Sequence, residues 1–294
     1  MSSTFSRQFL GIASVEKERA DALILPLPYE KTVSYGSGTS KGPQAILDAS
    51  LQLEYFDEET LVDFKQAPKL HTMPALLDNG VEMVQDYLKA IETHVATLRD
   101  RFILSLGGEH TVTYGVVKGL VDDPAEITIV QIDAHADLID ELNGLRWSHG
   151  TVMRRLWEEG SRLVQIGIRS LSSSEYELVE AGERITTYFA HRLEEQWAEV
   201  LQTLHNLEGA VYLTIDVDGL DPSIIPSTGT PQPNGLSWRQ AMGVIREIAA
   251  SRRIRWLGAD VVEFVPSPHP PGCDPVAARL VEKVLAYWHS GRRG

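Results

Sequence analysis

Six side chains that can bind a metal ion lie in three short segments of this chain. They are His110 in GGEH, Asp133, His135 and Asp137 in IDAHADL, and Asp216 and Asp218 in TIDVDGL. Two imidazoles and four carboxylates form an oxygen-rich donor set without sulfur, which suits Mn²⁺, Fe²⁺, Co²⁺, Ni²⁺ or Zn²⁺ better than Ca²⁺. Clustered carboxylates repel one another and take up protons unless cations neutralise them. The set therefore predicts a site for two divalent ions, which would supply a hydroxide nucleophile at neutral pH.

Each of these segments follows an apolar run rich in Val, Ile and Leu, as Glu263 also does. Such runs lie at 22–28, 101–107, 127–133, 162–168, 210–216 and 254–263. Continuous apolar runs of this length are typical of strands that are buried on both faces of a parallel sheet. In an open α/β sheet, ligands bind beyond the carboxyl ends of the strands. The runs therefore predict a sheet whose edge brings the six side chains together.

Helical patterns lie between the apolar runs. In the segment 80–100 the apolar residues fall on one face of a helix. Ser237, with Gln240 three residues later, predicts a capping box before a helix through about Ala250. Asp274, followed by Pro275, is predicted to cap the last helix. The alternation of strands and helices indicates an α/β protein built from βαβ units. Because no linker, low-complexity tract or internal repeat interrupts the pattern, we predict a single domain over residues 1–294.

The segment IDAHADL must depart from strand geometry if its acids share a site. On a straight strand Asp133 and Asp137 would lie about 13 Å apart, at roughly 3.3 Å per residue. That separation is too large for one small ion. We therefore predict that the strand ends near Asp133 and that the chain then curls, which the small side chains of Ala134 and Ala136 would permit.

Composition narrows the classes of function. The chain has 294 residues and a formal net charge of −14, which argues against a nucleic-acid-binding surface. The acidic excess is compatible with cationic ligands, and equally with a contribution to solubility alone. Apolar windows fall short of the roughly 18 residues that a membrane helix needs, and a secretory signal is not expected. The one cysteine, Cys273, excludes an internal disulfide and a thiolate zinc site, so we expect a cytoplasmic protein.

The motifs of this chain resemble those of the ureohydrolases, the arginase and agmatinase family of binuclear manganese enzymes. The matching pieces, in the family's order between about 101 and 266, are GGEHTVT, IDAHADL, SHGT, TIDVDGLDPSIIPSTGTPQPNGL and ADVVEFVP. SYGSGTSKGPQAI at 34–46 resembles the family's N-terminal signature. The resemblance implies an arginase-like, three-layer α/β/α fold with a mostly parallel central sheet. It also implies two Mn²⁺ ions and a homo-oligomer, either a trimer or a hexamer.

The resemblance further implies a role for each of the metal-binding residues. His110 and Asp137 would bind one ion, His135 and Asp218 would bind the other, and Asp133 and Asp216 would bridge both.

Two residues outside this set resemble catalytic residues of the family. His149 in SHGT resembles the proton-shuttling histidine, and its unperturbed pKa lies near neutrality. Glu263 resembles the carboxylate that holds the substrate guanidinium. A guanidinium is planar and always protonated, so its carbon is a poor electrophile that needs a strong nucleophile already in place. The expected products are urea and a primary amine.

Departures from the family pattern bear on the substrate. Arginases carry a Ser-Gly-Asn-x-His-Gly segment that grips the α-amino acid end, whereas the equivalent here is GLRWSHG, with Arg146 and Trp147 and without the Gly-Asn pair. We therefore expect a small cationic guanidino compound, with agmatine, which would yield putrescine, favoured over arginine. N1-aminopropylagmatine, guanidinobutyrate and free guanidine stay open as substrates.

Two further positions of the chain differ from the family pattern. Glu109 stands where many relatives have Asp, and Leu47 stands where Arg is common, with no role assigned to it. Among the remaining histidines, His269 has a plausible place at the mouth of the site.

Two functions from other classes are also open. A two-metal phosphoesterase would need basic residues beside the ligands to hold phosphate, and the ligand motifs offer none. A non-catalytic subunit that binds a partner would show degenerate ligands, whereas all six positions are intact.

Overall fold

The structure is a computed structural model that describes residues 7–267, 269 and 272–292. Within these residues the strands are β1 (Ala22–Leu27), β2 (Phe56–Asp57), β3 (Val62–Asp63), β4 (Leu70–Thr72), β5 (Phe102–Gly107), β6 (Ile127–Ile132), β7 (Arg162–Ile168), β8 (Ile185–Phe189), β9 (Gly209–Asp216) and β10 (Ile254–Val262). The α-helices are α1 (Gly42–Ser50), α2 (Val84–Ala96), α3 (Val112–Leu120), α4 (Val152–Glu158), α5 (Ser173–Ala181), α6 (Leu193–His205), α7 (Trp238–Ala250) and α8 (Asp274–Gly291).

One parallel sheet of eight strands organises the chain, in the order β4-β1-β5-β10-β9-β6-β7-β8. The six predicted runs are its six interior strands, and each strand agrees with its run to within one residue at either end. The two strands that the sequence did not predict, β4 and β8, lie at the edges. The reason is physical: an edge strand is short or partly exposed, so it lacks a continuous apolar run. The antiparallel hairpin of β2 and β3 lies apart from this sheet.

Helices cover both faces of the sheet. Leu104 and Leu213 face a buried cluster that includes residues of α1, α6, α7 and α8. Their neighbours Ile103 and Tyr212 face the opposite cluster, which includes residues of α2, α3 and α4. Because successive side chains on a strand point to opposite faces, both sets must be apolar when both faces are covered. This arrangement confirms the three-layer α/β/α fold.

The predicted helix boundaries are only partly right. Ser237 begins a capping box with Gln240, and α7 ends at Ala250 as predicted. The prediction for the last helix is wrong, because Cys273 occupies the N-cap position and Asp274 is the first helical residue. Oδ1 of Asp274 accepts a hydrogen bond from the backbone N of Ser267, 3.1 Å away, so its carboxylate fastens the preceding loop instead of capping the helix.

Leu47, on α1, is 1% exposed and belongs to the same buried cluster as Leu104 and Leu213. An apolar side chain is therefore suited to that position. Among the described residues, no helix is both long enough and apolar enough to cross a membrane.

Candidate metal centre

The carboxyl ends of four adjacent interior strands converge at the middle of the sheet. In the order β5, β10, β9 and β6 they deliver the segment with His110, Glu263, the pair Asp216 and Asp218, and the IDAHADL segment. Parallel strands present their carboxyl ends at one edge, so residues that are distant in the chain meet there.

The predicted metal-binding residues lie within contact distance of one another. Nδ1 of His110 lies 3.2 Å from Oδ2 of Asp133, 3.0 Å from Oδ2 of Asp137 and 3.6 Å from Oδ2 of Asp216. Nδ1 of His135 lies 3.1 Å from Oδ2 of Asp218 and 3.7 Å from Oδ1 of Asp133. Two groups of potential ligands result, His110–Asp133–Asp216 and Asp133–His135–Asp218, each with its ligand atoms within 4.8 Å of one another. Asp133 belongs to both groups.

The environment of His110 indicates that a cation fits this site. Its Nε2 lies 2.8 Å from Oγ1 of Thr214, and that hydroxyl donates to Oδ1 of Asp260 over 2.6 Å. Thr214 therefore accepts the Nε2 proton, which leaves Nδ1 to face the carboxylates. Nδ1 is buried, has no hydrogen-bond partner and faces carboxylate oxygens. Although burial opposes it, the contacts with Asp133 and Asp137 raise the pKa of His110 well above its usual range. Nδ1 and the negative oxygens therefore need a proton or a metal cation between them, so the donor set fits divalent ions.

The pKa values of these residues reveal the same demand for positive charge. Burial and the charge of Asp133 raise the pKa of Asp137 to about 7, and burial with Asp218 and Asp133 raises the pKa of Asp216 well above its usual range. Although burial opposes it, the contacts with Asp133 and Asp218 raise the pKa of His135 to about 11. Without metal ions, the centre therefore retains protons that divalent ions would displace.

The chain curls after β6, as the sequence predicts, and two buried amides hold the curl. Nε2 of Gln131 donates to Oδ2 of Asp133 over 2.8 Å and to the carbonyl of His135 over 3.2 Å. Nε2 of Gln165, on β7, donates to Oε1 of Gln131 over 2.6 Å and to the carbonyl of Ala136 over 2.7 Å. The amides thus satisfy backbone groups that the end of the strand leaves without ladder partners. Neither glutamine was predicted to belong to the site, although each is a polar residue inside an apolar run.

Two site residues have backbone angles that side chains rarely adopt. The φ angle is 54° at Asp137 and 62° at Glu263, in the left-handed region. At Glu263 this turn lets Oε1 accept a hydrogen bond from the backbone N of His110, 2.7 Å away. Burial and the charge of Glu109 raise the pKa of Glu263 well above its usual range. Strain of this kind persists where surrounding contacts enforce it, and it is common at functional sites.

His149 lies beside the metal-binding residues and is held by Thr32. The backbone N of His149 donates to Oγ1 of Thr32 over 3.2 Å, and Thr32 donates to Oε1 of the buried Glu109 over 2.8 Å. Burial and the positive charges of His110 and His135 lower the pKa of His149 to about 4. The side chain is therefore neutral at pH 7, with a pKa below the near-neutral value expected from the sequence. Thr32 itself left no signal in the sequence.

A cavity of about 150 Å³ opens over these groups. Its walls include His135, His149 and Glu263 and, away from the metal-binding atoms, Ile139, Leu142 and Glu175. Among the described residues, no lysine or arginine lines it. His269 is exposed and is not among the described residues of its walls.

Arg146 and Trp147 of the GLRWSHG loop (144–150) do not line this cavity. The ring of Trp147 packs edge-on against Tyr114, with centroids 4.7 Å apart. Nη2 of Arg146 lies 3.0 Å from Oε2 of Glu158. Both side chains therefore point away from the described walls, to which the loop contributes His149 and Gly150 instead.

Comparisons with known proteins agree with this geometry. The model of the arginase family matches residues 20–286. The chain is 32% identical to an N(1)-aminopropylagmatine ureohydrolase of Synechocystis sp., over 98% of this chain and 95% of that protein. It is 31% identical to an agmatinase of Halalkalibacterium halodurans, over 92% of this chain and 93% of that protein. The crystal structure of the agmatine ureohydrolase of Thermoplasma volcanium superimposes with a TM-score of 0.87 at 25% identity, covering 99% of this chain and 97% of the other.

Proposed function

Since the chain belongs to the arginase family, it is a ureohydrolase of a binuclear-metal family, and we propose that it hydrolyses agmatine to urea and putrescine. One observation supports this proposal above the others. Two groups of metal-binding side chains share Asp133 beneath a cavity whose charged walls, among the described residues, are formed by carboxylates and imidazoles. Such a cavity attracts a cation and offers no basic partner to an anion.

We propose that His110 and Asp137 bind one ion, that His135 and Asp218 bind the other, and that Asp133 and Asp216 bridge them. The contacts of Asp133 with both histidines support its bridging role. Mn²⁺ is the proposed native ion, and Co²⁺, Ni²⁺, Fe²⁺ and Zn²⁺ suit the same donors. When bound, the two ions would lower the pKa of water and supply the nucleophile.

Glu263 is proposed to orient the substrate. One of its oxygens is fixed by the backbone of His110, so the carboxylate has a defined position on the cavity wall. A carboxylate can pair with two N–H groups of a guanidinium and hold the carbon in a reactive geometry. The raised pKa of Glu263 indicates that nearby negative charge is not yet balanced. The guanidinium would supply part of the missing positive charge.

His149 is proposed to move the proton that the leaving amine requires. The imidazole is neutral at pH 7 and can therefore accept a proton, although burial and the charges of His110 and His135 lower its pKa to about 4 and weaken it as a base. It would then donate that proton to the leaving amine. Thr32 and Glu109 position the imidazole through the backbone contact described above.

The cavity favours substrates without a carboxylate. Arginine and guanidinobutyrate would place an anionic tail beside Glu175 and the apolar Ile139 and Leu142. A generic phosphate ester would likewise lack a basic partner, which disfavours a phosphoesterase. Agmatine and N1-aminopropylagmatine carry cationic tails instead. The second compound is our second candidate, because relatives with 32% identity bear its name.

A panel of substrates tests the proposal. Protein loaded with Mn²⁺ is assayed for urea release from agmatine, N1-aminopropylagmatine, guanidinobutyrate, guanidine and arginine. We expect kcat/KM to be highest for agmatine and lowest for the substrates with a carboxylate. No urea from any compound would contradict the class of reaction, and a preference for arginine would overturn the cavity argument.

His149→Ala tests the proton transfer separately from metal binding. The variant should retain its metal ions, while kcat for agmatine should fall about 10²–10⁴-fold. His269→Ala, at an exposed position, is the matched control and should leave kcat unchanged. Loss of metal from the His149 variant would assign that residue to the metal site instead.

We further propose a cytoplasmic homo-oligomer, either a trimer or a hexamer. The single cysteine supports a reducing compartment, and the resemblance to the family supports assembly. Light scattering coupled to size-exclusion chromatography measures the mass of the particle, and a monomer would contradict this proposal.

A further inference from the structure

A second cavity, of about 820 Å³, lies at the opposite end of the strands from the metal centre. Its walls include Phe102 and Ile254, the first residues of β5 and β10, together with Ala249 and Gly291 near the ends of α7 and α8. Glu263 directly follows the other end of β10. At roughly 3.3 Å per residue, the strand separates the two cavities by about 26 Å. A ligand of this cavity would therefore not touch the proposed substrate.

The walls of this cavity carry more basic than acidic residues, although the chain as a whole is acidic. Six arginines line it, Arg19, Arg99, Arg101, Arg252, Arg255 and Arg292, against three acids, Glu18, Asp21 and Asp100. The whole chain has a net charge of −14. A cleft lined by one sign of charge focuses the field and raises the local concentration of ions of the opposite sign.

Two of the six guanidinium groups are already engaged. Arg99 binds the carbonyl of Gly119 and the carboxylate of Asp122, both at 2.5 Å. Arg101 contacts Asp100 and the carbonyl of Glu18.

The other four have no ion pair or side-chain hydrogen bond within the described part of the chain. They are Arg19, Arg252, Arg255 and Arg292. The C-terminal ends of α7 and α8 supply only about one negative charge together, at about half a charge each. Glu18 and Asp21, on the same walls, add two negative charges, so the four unpaired guanidinium groups still exceed the negative charge around them.

Three aromatic side chains, Phe102, Trp256 and Trp288, form an aromatic floor of this cavity. The ring of Phe102 stacks on Trp288 with centroids 4.4 Å apart and meets Trp256 edge-on at 5.5 Å. The guanidinium of Arg292 lies over the ring of Trp288, 4.9 Å from its centroid. Stacking on an aromatic face limits the motion of the guanidinium without using its N–H donors. Those donors are then available to a ligand, and their planar fork matches the oxygens of a phosphate.

We propose that this arginine-lined cavity binds the phosphate chain of a polyphosphate or of a nucleotide. A chain of phosphates can contact several unpaired guanidinium groups at once, whereas a single carboxylate would leave most of them without a partner. The volume also lies in the range of about 300–1,000 Å³ that is usual for sites of small ligands. The binding is independent of the proposed hydrolase activity.

Binding of tripolyphosphate and of ATP, measured by calorimetry and by tryptophan fluorescence, tests the proposal. Arg252→Ser/Arg255→Ser removes two unpaired guanidinium groups from the cavity. Arg192→Ser/Arg239→Ser removes the same charge from exposed positions outside it. Wild type and the second variant should bind tripolyphosphate equally. The first should bind about 100-fold more weakly, at about tenfold for each charge-assisted contact.

Each outcome bears on the site. Equal affinity for tripolyphosphate and ATP would assign recognition to the phosphates alone, and tighter binding of ATP would add contacts of the nucleoside with the aromatic floor. Phosphates also bind metal ions, but binding at the metal centre would be insensitive to the cavity variant. Unchanged affinity in that variant, equal weakening in both double variants, or no saturable binding would overturn the proposal. Arg292→Ser, with about a tenfold loss expected, repeats the test if the double variant does not fold.

Discussion

The metal centre and a second cluster, between the β2–β3 hairpin and α8, both contain buried carboxylates, but they differ in their supply of cations. In the second, here named the hairpin ion cluster, Asp57, Glu58 and Glu59 surround Lys283, and Arg279 adds a second cation. Nζ of Lys283 is 2.6 Å from Oδ2 of Asp57 and 2.7 Å from Oε1 of Glu59. Asp57 is completely buried, and Lys283 is 1% exposed.

The pKa values of Asp57 in the hairpin ion cluster and of Asp137 at the metal centre shift in opposite directions. Burial alone would raise the pKa of Asp57, but its contacts with Lys283 and Thr60 hold the pKa below the usual range. At the metal centre the pKa of Asp137 is raised to about 7 because burial and Asp133 reinforce each other. A buried carboxylate with its own cation contributes to structure. One with a raised pKa and too few protein cations indicates a place for a cation from outside.

The largest expected effect comes from removing a bridging carboxylate. Asp133→Ala or Asp216→Ala should lose bound metal and activity together, with kcat reduced at least about 10³-fold, because nucleophile and charge balance both depend on the ions. Metal analysis and urea release measure the two losses. Asp48→Ala, on the exposed side of α1, is the control and should change neither. Full metal content in Asp133→Ala would refute the assignment of ligands.

The reverse experiment removes the internal cation of the hairpin ion cluster. Lys283→Met should lower the free energy of unfolding by about 3–5 kcal/mol, because it leaves Asp57 buried with less compensating charge. Metal content should stay unchanged. Lys89→Met, which breaks an exposed pair with Glu92, should cost less than about 1 kcal/mol. Similar losses in the two variants, measured by urea unfolding, would remove the distinction between buried and exposed pairs.

The pH dependence of stability should also differ between the clusters. In metal-free protein, the raised pKa values of Asp137 and Asp216 mean that the folded state holds protons that the unfolded chain releases. The contribution of these two carboxyl groups to stability should therefore fall as pH rises from about 4 to about 7. The depressed pKa of Asp57 acts the other way, since its contribution is present above about pH 4 and is lost as pH falls further.

Adding Mn²⁺ should abolish the pH dependence that comes from Asp137 and Asp216 and leave the one that comes from Asp57. Urea unfolding across this pH range, with and without the metal ion, makes the comparison. A metal-free protein whose stability rises toward neutral pH would contradict the charge imbalance inferred for the centre.

The smallest effect is expected from the amides that hold the curl after β6. Gln165→Leu removes donors to Gln131 and to the carbonyl of Ala136, so Asp133 and His135 should be less well oriented. Metal affinity, measured by calorimetry, should fall about tenfold. Gln196→Leu, on α6, removes an exposed hydrogen bond to Glu199 and should leave the metal affinity unchanged. Equal affinities in the two variants would show that the curl does not need the amides.

Much of the fold was evident in local patterns of the chain. The six interior strands are buried on both faces, so each needs a continuous apolar run that can be read from its own residues. The edge strands β4 and β8 and the hairpin of β2 and β3 lack that requirement and were missed. The residues that meet at the candidate metal centre were also identified from the sequence, because each lies at the carboxyl end of an interior strand or in the short segment that follows it.

The sequence alone was enough to predict the six interior strands, the residues of the candidate metal centre and the family. The tertiary structure decided which groups balance one another's charge. Glu59 and Lys283 pair across 224 positions of the chain, and the arginines of the second cavity range from Arg19 to Arg292. The backbone angles at Asp137 and Glu263, the lowered pKa of His149 and the contacts of Thr32 likewise depend on neighbours that folding supplies. Apolar periodicity is a local property of the chain, whereas burial, the electrostatic field and ion pairing depend on residues that folding brings together from distant positions.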